Sequence, residues 1–269
     1  MAEQLIGSGP VLLELESDGL ARLRLNRPEA ANALNVELLE ALHGALTRCQ
    51  TESRLRALLL TGEGPHFCAG GDVKAFAAEG ERLPDYLRDA TGLLQDSALA
   101  LMHLPAPVIA AVHGYAAGGG GFGLVCASDL VLAGESAKFL LGATRVGMAP
   151  DAGGSVTLTQ VVGLRKAMEI ALTNPTLSAA EALELGLVTR VVADEALLDR
   201  ALALGHELAA GPTRALAATK RLILDGLGAA IETRLLEEAR SVSELSGTED
   251  AREGLAAVIE KRAPRFTGR

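Results

Sequence analysis

Apolar and polar residues alternate along two neighbouring segments near the start of the chain, residues 11–16 and residues 20–25. A Ser-Asp-Gly turn separates them, so the pattern predicts a β-hairpin. Three further runs, at residues 55–60, 107–112 and 128–133, are almost continuously apolar. Their length and their aliphatic composition predict strands that are buried on both faces of a sheet.

Apolar residues at helical spacing follow the hairpin. Asn35 is placed to cap a helix that continues to about residue 51, with leucines at positions 38, 39, 42 and 46 along one face. The second half of residues 74–96 and most of the chain after residue 152 also show a helical pattern, interrupted by a predicted strand at residues 187–192. Because strands alternate with helices first and helices dominate later, the sequence predicts an α/β core with a helical C-terminal part.

Composition narrows the possible functions. The 269 residues carry a net charge of −9, which argues against a protein that binds nucleic acid through a basic face. The three cysteines, Cys49, Cys68 and Cys126, have no metal-ligand spacing and fit a reducing compartment. The first residues have neither the basic nor the apolar region of a signal peptide. We therefore expect a cytoplasmic protein that uses no metal.

A stretch without charged residues, between Asp96 and Asp129, is long enough for a membrane-spanning helix. However, it contains Pro105, Pro107 and a run of four glycines, all of which disfavour one continuous helix. The sequence therefore favours a buried strand, a glycine loop and a buried helix, and no membrane partner is expected.

The glycine run at residues 118–123 is the strongest local motif. It follows a predicted strand and matches the spacing G-x-G-x-x-G of a dinucleotide site, with Glu135 downstream. The same glycines also fit an anion-binding loop, or close packing of a helix on a strand. The position of the motif, after a hairpin and a helix in the middle of the chain, fits a dinucleotide site poorly.

A second glycine loop, residues 66–72, also follows a predicted strand and precedes a predicted helix. Two such loops at the ends of neighbouring strands can direct backbone N–H groups to one point. That arrangement is an oxyanion hole, which stabilises the oxygen of an enolate or a tetrahedral intermediate. Small residues suit it because a side chain would block the approaching carbonyl.

Asp151 follows a proline within the mostly apolar segment 147–155, which contains three glycines. An aspartate in this setting either caps a helix or transfers a proton in an apolar pocket. The local sequence leaves both interpretations open.

Several motifs taken together closely resemble the crotonase (enoyl-CoA hydratase/isomerase) superfamily. They occur in the order typical of the family, and the resemblance covers nearly the whole chain from about residue 11. The motifs are Leu-Asn-Arg-Pro at residues 25–28, Asn-Ala-Leu-Asn at 32–35, Phe-Cys-Ala-Gly-Gly-Asp-Val-Lys at 67–74, Ile-Ala-Ala-Val-His-Gly-Tyr-Ala-Ala-Gly-Gly-Gly at 109–120, Ser-Ala-Lys-Phe at 136–139 and Glu-Lys-Arg-Ala-Pro-Arg-Phe at 260–266.

The resemblance implies a spiral of β-β-α units over residues 1–200 and a helical trimerisation region over residues 201–269, assembled as a homotrimer or a pair of trimers. It also implies an acyl-CoA substrate, with coenzyme A as part of the substrate and no separate cofactor, and oxyanion N–H groups from Gly71 and Gly119. The residues that it implies for binding CoA and the acyl group are Ala69, Gly71, Asp72, Val73, Lys74, Gly119, Phe122, Ala143 and Lys261.

The chain departs from the hydratase pattern of this family. Where a family hydratase carries two catalytic glutamates, this chain has Phe122 and Ala143, and neither side chain transfers protons. Asp151 instead matches a position that holds a working aspartate in dienoyl-CoA isomerases, the aryl-CoA dehalogenase and 1,2-epoxyphenylacetyl-CoA isomerases. The pattern is most similar to the 1,2-epoxyphenylacetyl-CoA isomerase and enoyl-CoA isomerase branch. We therefore expect isomerisation of a double bond or an epoxide, with Asp151 as the acid and base.

Two alternatives remain. The chain is a hydratase if another acid replaces the missing glutamates, and the candidates are Glu79, Glu81, Asp85 and Asp89. It is a non-catalytic acyl-CoA-binding member of the family if no acyl-CoA is turned over.

Overall fold

The computed structural model of the protein describes residues 2–227, 248–260 and 262–269, and its strands lie in two sheets. The strands are β1 (Glu3–Ile6), β2 (Val11–Leu15), β3 (Leu20–Leu25), β4 (Ala57–Gly62), β5 (Val108–Val112), β6 (Tyr115–Ala117), β7 (Leu130–Gly134), β8 (Lys138–Leu140), β9 (Leu177–Ser178) and β10 (Arg190–Val192).

Helices cover both faces of the larger sheet. They are α1 (Val36–Thr51), α2 (Val73–Ala78), α3 (Leu83–Met102), α4 (Gly118–Cys126), α5 (Thr157–Val162), α6 (Leu164–Thr173), α7 (Ala179–Glu184), α8 (Leu197–Ala209), α9 (Thr213–Gly226) and α10 (Glu249–Glu260). The Asn35 side chain accepts a hydrogen bond from the Leu38 N–H, which confirms the predicted cap of α1.

The larger sheet has the strand order β1-β2-β3-β4-β5-β7-β10, and the smaller one has the order β6-β8-β9. The predicted hairpin is confirmed, because β2 and β3 pair antiparallel with Glu14 opposite Arg22. From β3 onward the neighbouring strands of the larger sheet are parallel. Parallel neighbours bring their carboxyl ends to one edge of the sheet, and the two glycine loops begin at that edge.

Three predicted strands are wrong at their beginnings. β7 begins at Leu130 and not at residue 128, because the Ser128 N–H donates to the Val125 carbonyl at the end of α4. β4 begins at Ala57, because Leu55 belongs to a turn in which its N–H donates to the Glu52 carbonyl. β10 begins at Arg190, because Val188 hydrogen-bonds back to Ala182 at the end of α7. Leu55 and Val188 are apolar and buried beside β4 and β10, so the apolar run in the sequence extends beyond the residues that pair in the sheet.

Four strands were not predicted. β1, β6, β8 and β9 contain two to four residues each, which is too short for alternation to show in the sequence.

The two faces of the larger sheet pack into two apolar clusters. Along β4, Leu58 and Leu60 face the cluster that includes α1 and α3, whereas Ala57 and Leu59 face the cluster that includes α8. Burial on both faces explains why this strand is apolar without alternation. The predicted division between residues 200 and 201 falls within α8, which packs directly on the sheet.

A buried ion pair joins α9 to the core. The Lys220 ammonium lies 2.8 Å from the Asp129 carboxylate and donates to the Leu101 carbonyl, and its side chain is only 8% exposed. The chain end packs on α10, where Asp250 accepts hydrogen bonds from the backbone N–H groups of Thr267 and Gly268.

The charge-free stretch is resolved as the end of α3, then β5, β6 and α4. Within the three ranges that the structure describes, no helix combines the length and apolar character needed to cross a membrane.

Asn32 holds together the loops that lead to the first glycine segment. It is fully buried, its φ is 54°, and its side-chain oxygen accepts a hydrogen bond from the Arg27 N–H. Its amide nitrogen donates to the carbonyls of Glu63 and His66, at 2.9 and 2.8 Å. These bonds fix residues 63–66 against the end of β3.

We predict that Asn32→Ala destabilises the protein by about 3 kcal/mol, because it removes the side-chain partner of three part-buried backbone groups, those of Arg27, Glu63 and His66. The measurement is urea unfolding at neutral pH. The matched control is Asn26→Ala, since the Asn26 amide donates a single bond, to the Gly9 carbonyl, near the surface. We expect a loss of about 1 kcal/mol or less there. Equal losses in the two variants would contradict the role given to Asn32.

Candidate active site

A cavity of about 430 Å³ lies beside the two glycine loops. Its inner wall comes from α1 and α3 and includes Leu39, Ala90 and Leu94, all of them buried. Val73 and Val146 lie at its mouth, where each is more than half exposed. The cavity is thus a slot with an apolar floor and an opening to solvent.

The backbone of Gly71 lines this cavity. The Leu34 N–H donates to the Gly70 carbonyl at 2.7 Å, and the Leu34 carbonyl accepts from the Asp72 N–H at 3.0 Å. Leu34 and Gly71 therefore form a parallel bridge, in which the N–H of Gly71 faces away from Leu34. The Phe76 ring covers the α-carbon of Gly71, and a Cβ built there would lie 2.5 Å from its Cζ atom.

The second loop meets the first at Gly118. Gly118 has a φ of 63°, and a Cβ built on it would lie 3.0 Å from the Gly70 Cα and 3.5 Å from the Gly71 nitrogen. Helix α4 begins at Gly118, and no side chain caps it. Its first-turn N–H groups are therefore available at the cavity, which Gly119 lines.

The other glycines of this run explain how the two segments come so close. A Cβ on Gly121 would collide with the Cys68 carbonyl, and one on Gly120 would collide with the Leu34 side chain. The close-packing interpretation of the glycine run is therefore confirmed, and the packing occurs between the two loops as well as between helix and strand.

Asp151 lies against Gly119. A Cβ built on Gly119 would overlap the Asp151 carboxylate, so the two residues are in direct contact. Burial raises the pKa of the Asp151 carboxyl above its ordinary value, while a hydrogen bond from its own backbone N–H acts in the opposite direction. The helix-cap interpretation is wrong, because α5 begins at Thr157 and its N-cap is Val156.

Among the residues that the structure describes, Asp151 is the only carboxylate lining this cavity. The wall contains no histidine, cysteine, tyrosine or lysine from the described ranges. Arg145 reaches the wall from an exposed position, and its guanidinium donates to the Asn174 carbonyl at the end of α6. The described wall of the cavity therefore offers one carboxylate as a candidate for proton transfer.

The structure brings together six of the ten predicted site residues: the cavity is lined by Ala69, Gly71, Val73, Gly119, Ala143 and Asp151. Phe122 does not line it. The Phe122 side chain is fully buried in the apolar core, so it fills volume there and does not face the cavity.

Two further predicted residues lie beside the cavity but not in its wall. The Asp72 carboxylate accepts a hydrogen bond from the Ala75 N–H, which caps α2, and it pairs with Arg27 at 3.3 Å. Lys74 is exposed on α2. Lys261 lies outside the described residues.

The acids proposed for a hydratase are all outside the cavity wall. Glu79 pairs with Arg82, and Asp85 pairs with Arg88. Glu81 and Asp89 are exposed. None of the four carboxylates contributes to the lining.

Sequence reasoning did not identify the individual side chains that form the apolar wall of the cavity. Phe76 on α2 and the α3 residues Leu87, Ala90, Thr91 and Leu94 all line the cavity. The four α3 positions have helical spacing, so an amphipathic pattern did mark one face of the helix. The pattern gave no means of distinguishing a face that lines a cavity from one that packs on the core.

The sequence profile of the enoyl-CoA hydratase/isomerase family matches residues 16–269. The chain belongs to this family. It is 43% identical to a probable enoyl-CoA hydratase of Rhodobacter capsulatus, over 94% of this chain and 96% of that one. It is 38% identical to the 1,2-epoxyphenylacetyl-CoA isomerase of Escherichia coli, over 93% of this chain and 96% of that one.

Solved structures agree with this assignment. The crystal structure of a putative enoyl-CoA hydratase from Streptomyces coelicolor superposes with a TM-score of 0.92 at 34% identity, covering 98% of this chain and 99% of that one. An enoyl-CoA hydratase from Bacillus anthracis gives a TM-score of 0.91 at 34% identity, covering 97% of this chain and all of the other. The predicted crotonase fold is confirmed.

We predict that Asp151→Asn raises the thermal unfolding midpoint at pH 7. A raised folded-state pKa means that the ionised carboxylate is disfavoured in the folded protein, so folding is favoured below the unfolded-state pKa and loses that contribution as pH rises. The neutral amide avoids this cost, so the gain should be present at neutral pH and vanish below the ordinary Asp pKa of about 3.9. A midpoint difference that does not change with pH would contradict this.

Proposed function

We propose that this chain isomerises an acyl-CoA thioester through an enolate, with Asp151 as the proton-transfer group. The observation that carries the proposal is the direct contact between the Asp151 carboxylate and Gly119 in an otherwise apolar cavity. Membership of the enoyl-CoA hydratase/isomerase family supports the substrate class.

The proposed oxyanion hole consists of the N–H groups of Gly71 and Gly119. Both residues line the cavity, and Gly118 brings the two loops into contact. Two N–H donors on the thioester oxygen, at the positive end of α4, stabilise the negative charge that develops when the α-carbon loses a proton. The apolar surroundings strengthen that interaction because little water competes for the oxygen.

In the proposed reaction, Asp151 removes a proton from C2 of a 3-enoyl-CoA and leaves a dienolate. Returning the proton to C4 gives the 2-enoyl-CoA and restores the carboxylate, so atoms and charge balance. A carboxyl whose pKa is raised by burial is a better base than an exposed aspartate. On an epoxide substrate, the same carboxylate would act at the ring carbons.

Hydration is the second candidate, and the 43% identical relative from Rhodobacter capsulatus, named a probable enoyl-CoA hydratase, favours it. Adding water across a double bond needs one group to activate the water and another to protonate the α-carbon. The described cavity holds one carboxylate, and Ala143 lines the wall where the family resemblance implies a glutamate. A missing acid or base typically costs ~10²–10⁴ in rate, so isomerisation is the better-supported proposal.

We also propose that the CoA moiety binds at the cavity mouth. Val73 lies there, and the next residue, Lys74, is exposed and supplies a positive charge. Asp72 is placed to support this site indirectly, since it caps the short helix that carries Lys74. The homotrimer or pair of trimers implied by the resemblance stays a prediction.

Absorbance assays distinguish the two candidate reactions. The purified protein is incubated separately with crotonyl-CoA and with a 3-enoyl-CoA of the same chain length. Isomerisation creates the 2-enoyl absorbance from the 3-enoyl substrate, whereas hydration consumes that of crotonyl-CoA. Rapid loss of crotonyl-CoA absorbance without isomerisation would support the hydratase. Tight acyl-CoA binding without turnover of any enoyl, dienoyl or epoxy substrate would support the non-catalytic alternative.

We predict that Asp151→Asn lowers kcat for 3-enoyl-CoA isomerisation by at least ~10²-fold, because the amide cannot accept the proton. Acyl-CoA affinity, measured by calorimetry, should stay within roughly threefold, since the N–H donors and the apolar wall are unchanged. The matched control is Asp199→Asn on the exposed side of α8, which should keep the wild-type rate. If Asp151→Asn turns over like the parent protein, the proposed function is wrong.

A further inference from the structure

A strained turn directly follows the carboxylate. The Asp151 carbonyl accepts a hydrogen bond from the Gly154 N–H at 2.7 Å, which closes a four-residue turn. Both central residues have positive φ, 48° at Ala152 and 75° at Gly153. Type I′ turns have this signature, and glycine, asparagine and aspartate dominate their central positions. Alanine at the first of them is held there at a conformational cost.

The Ala152 side chain is buried against α4. A Cβ built on Gly123 would lie only 2.7 Å from the Ala152 Cβ, and Ala152 itself is 6% exposed. Gly123 therefore forms a notch in the helix that the methyl group of Ala152 occupies.

The same face of α4 contacts both residues of the Asp151–Ala152 pair. Gly119 touches the Asp151 carboxylate and Gly123 touches the Ala152 methyl group. Residues four apart lie above one another on a helix, so the pair rests along a single side of α4. The Gly119 N–H, which is the proposed donor, and the Asp151 carboxylate are therefore both positioned by the same helix, α4.

Few other interactions orient the carboxylate. The hydrogen bond that acts on it comes from its own backbone N–H, and no other described residue donates to it. The preceding residues pass through Gly142 and Gly147, which also have positive φ. The position of the carboxylate must therefore come from packing, and the adjacent residue, Ala152, has a buried side chain packed against α4.

We propose that Ala152 and Gly123 are positioning residues. The contact between the Ala152 methyl group and Gly123 sets the distance between the Asp151 carboxylate and the N–H of Gly119. The inference rests on the proposed function of Asp151. It accounts for an alanine at a backbone position that suits glycine: glycine would relieve the strain but leave the notch empty.

Gly123→Ala tests the notch from the helix side. The added methyl group collides with that of Ala152 and pushes the turn outward. A displacement of about 1 Å at the reacting groups costs on the order of 10²-fold in rate. We expect kcat for 3-enoyl-CoA isomerisation to fall at least ~10-fold while KM changes by less than roughly threefold, because the apolar wall of the cavity is intact.

Ala152→Gly tests the contact from the turn side without introducing a clash. Glycine accepts the positive φ, so the thermal unfolding midpoint should be unchanged or higher, while kcat falls. The acid limb of the kcat/KM profile should also move to lower pH, since a carboxylate freed to turn toward water is less desolvated. A residue with a purely structural role would not lower kcat while preserving or raising stability.

The double variant Gly123→Ala/Ala152→Gly moves the methyl group from the turn to the helix. With the Ala152 methyl removed, the new Cβ would lie 3.5 Å from the residue 152 carbonyl oxygen and 3.8 Å from its Cα, which are ordinary contacts. We expect kcat to recover to within roughly threefold of the parent protein, a non-additive result that identifies direct coupling.

Two controls complete the set. Gly44→Ala places the same substitution on an exposed face of α1, where a Cβ meets nothing within 4 Å, and should leave kcat unchanged. Asp151→Asn, measured in parallel, separates the two hypotheses. If it stays active, the proposed function fails, whereas an inactive Asp151→Asn with a fully active Ala152→Gly overturns only the positioning role.

Two further outcomes test the contact between Ala152 and Gly123. A double variant no more active than the worse single variant overturns the contact. If Gly123→Ala does not fold, Ala152→Gly decides alone: a lowered kcat at undiminished stability supports the inference, and a parental kcat overturns it.

Discussion

The close contact between two glycine segments is the constraint on which the rest of the site depends. Gly118 lies against Gly70, and Gly121 lies against the Cys68 carbonyl, at distances that leave no room for a Cβ. Two backbones approach this closely only where side chains are absent. The contact places the start of α4 beside Gly71, so that backbone from separate parts of the chain lines one cavity.

That contact is maintained by the elements around it. Parallel pairing of β3, β4 and β5 delivers both loops to the same edge of the sheet. The fully buried Asn32 ties the loop after β4 to the end of β3, and Leu34 then bridges to Gly71. These hydrogen bonds connect the strands to the Gly71 backbone, so the order of the strands determines where Gly71 lies.

The glycines of helix α4 also determine how closely a second segment of the chain approaches the helix. Its glycines at positions 119 and 123 let the Asp151–Ala152 pair approach the helix, which brings a carboxylate beside a proposed oxyanion donor. The same crowding removes part of the hydration of the carboxylate, and this loss raises its pKa. Close packing and proton affinity therefore have one physical cause, and a change in either is expected to alter the other.

The sequence by itself determined much of this protein. Alternation and apolar runs located the hairpin and the buried strands, and the glycine loops and Asp151 were identified as the candidate chemistry. These features are local: they depend on periodicity or on a residue type that a particular backbone conformation requires. Motifs spread over the chain also led to the family, which the comparison of sequences confirmed.

Only the tertiary structure decided how these parts meet. It showed that Phe122 fills the core while Ala143 lines the cavity, and that Asp72 caps a helix. It also showed that Ala152 occupies a notch at Gly123, a contact between residues 29 positions apart that no local pattern predicts. The physical reason is that a sequence pattern specifies which face of an element is buried, whereas the partner of that face depends on distances set by the whole packed chain.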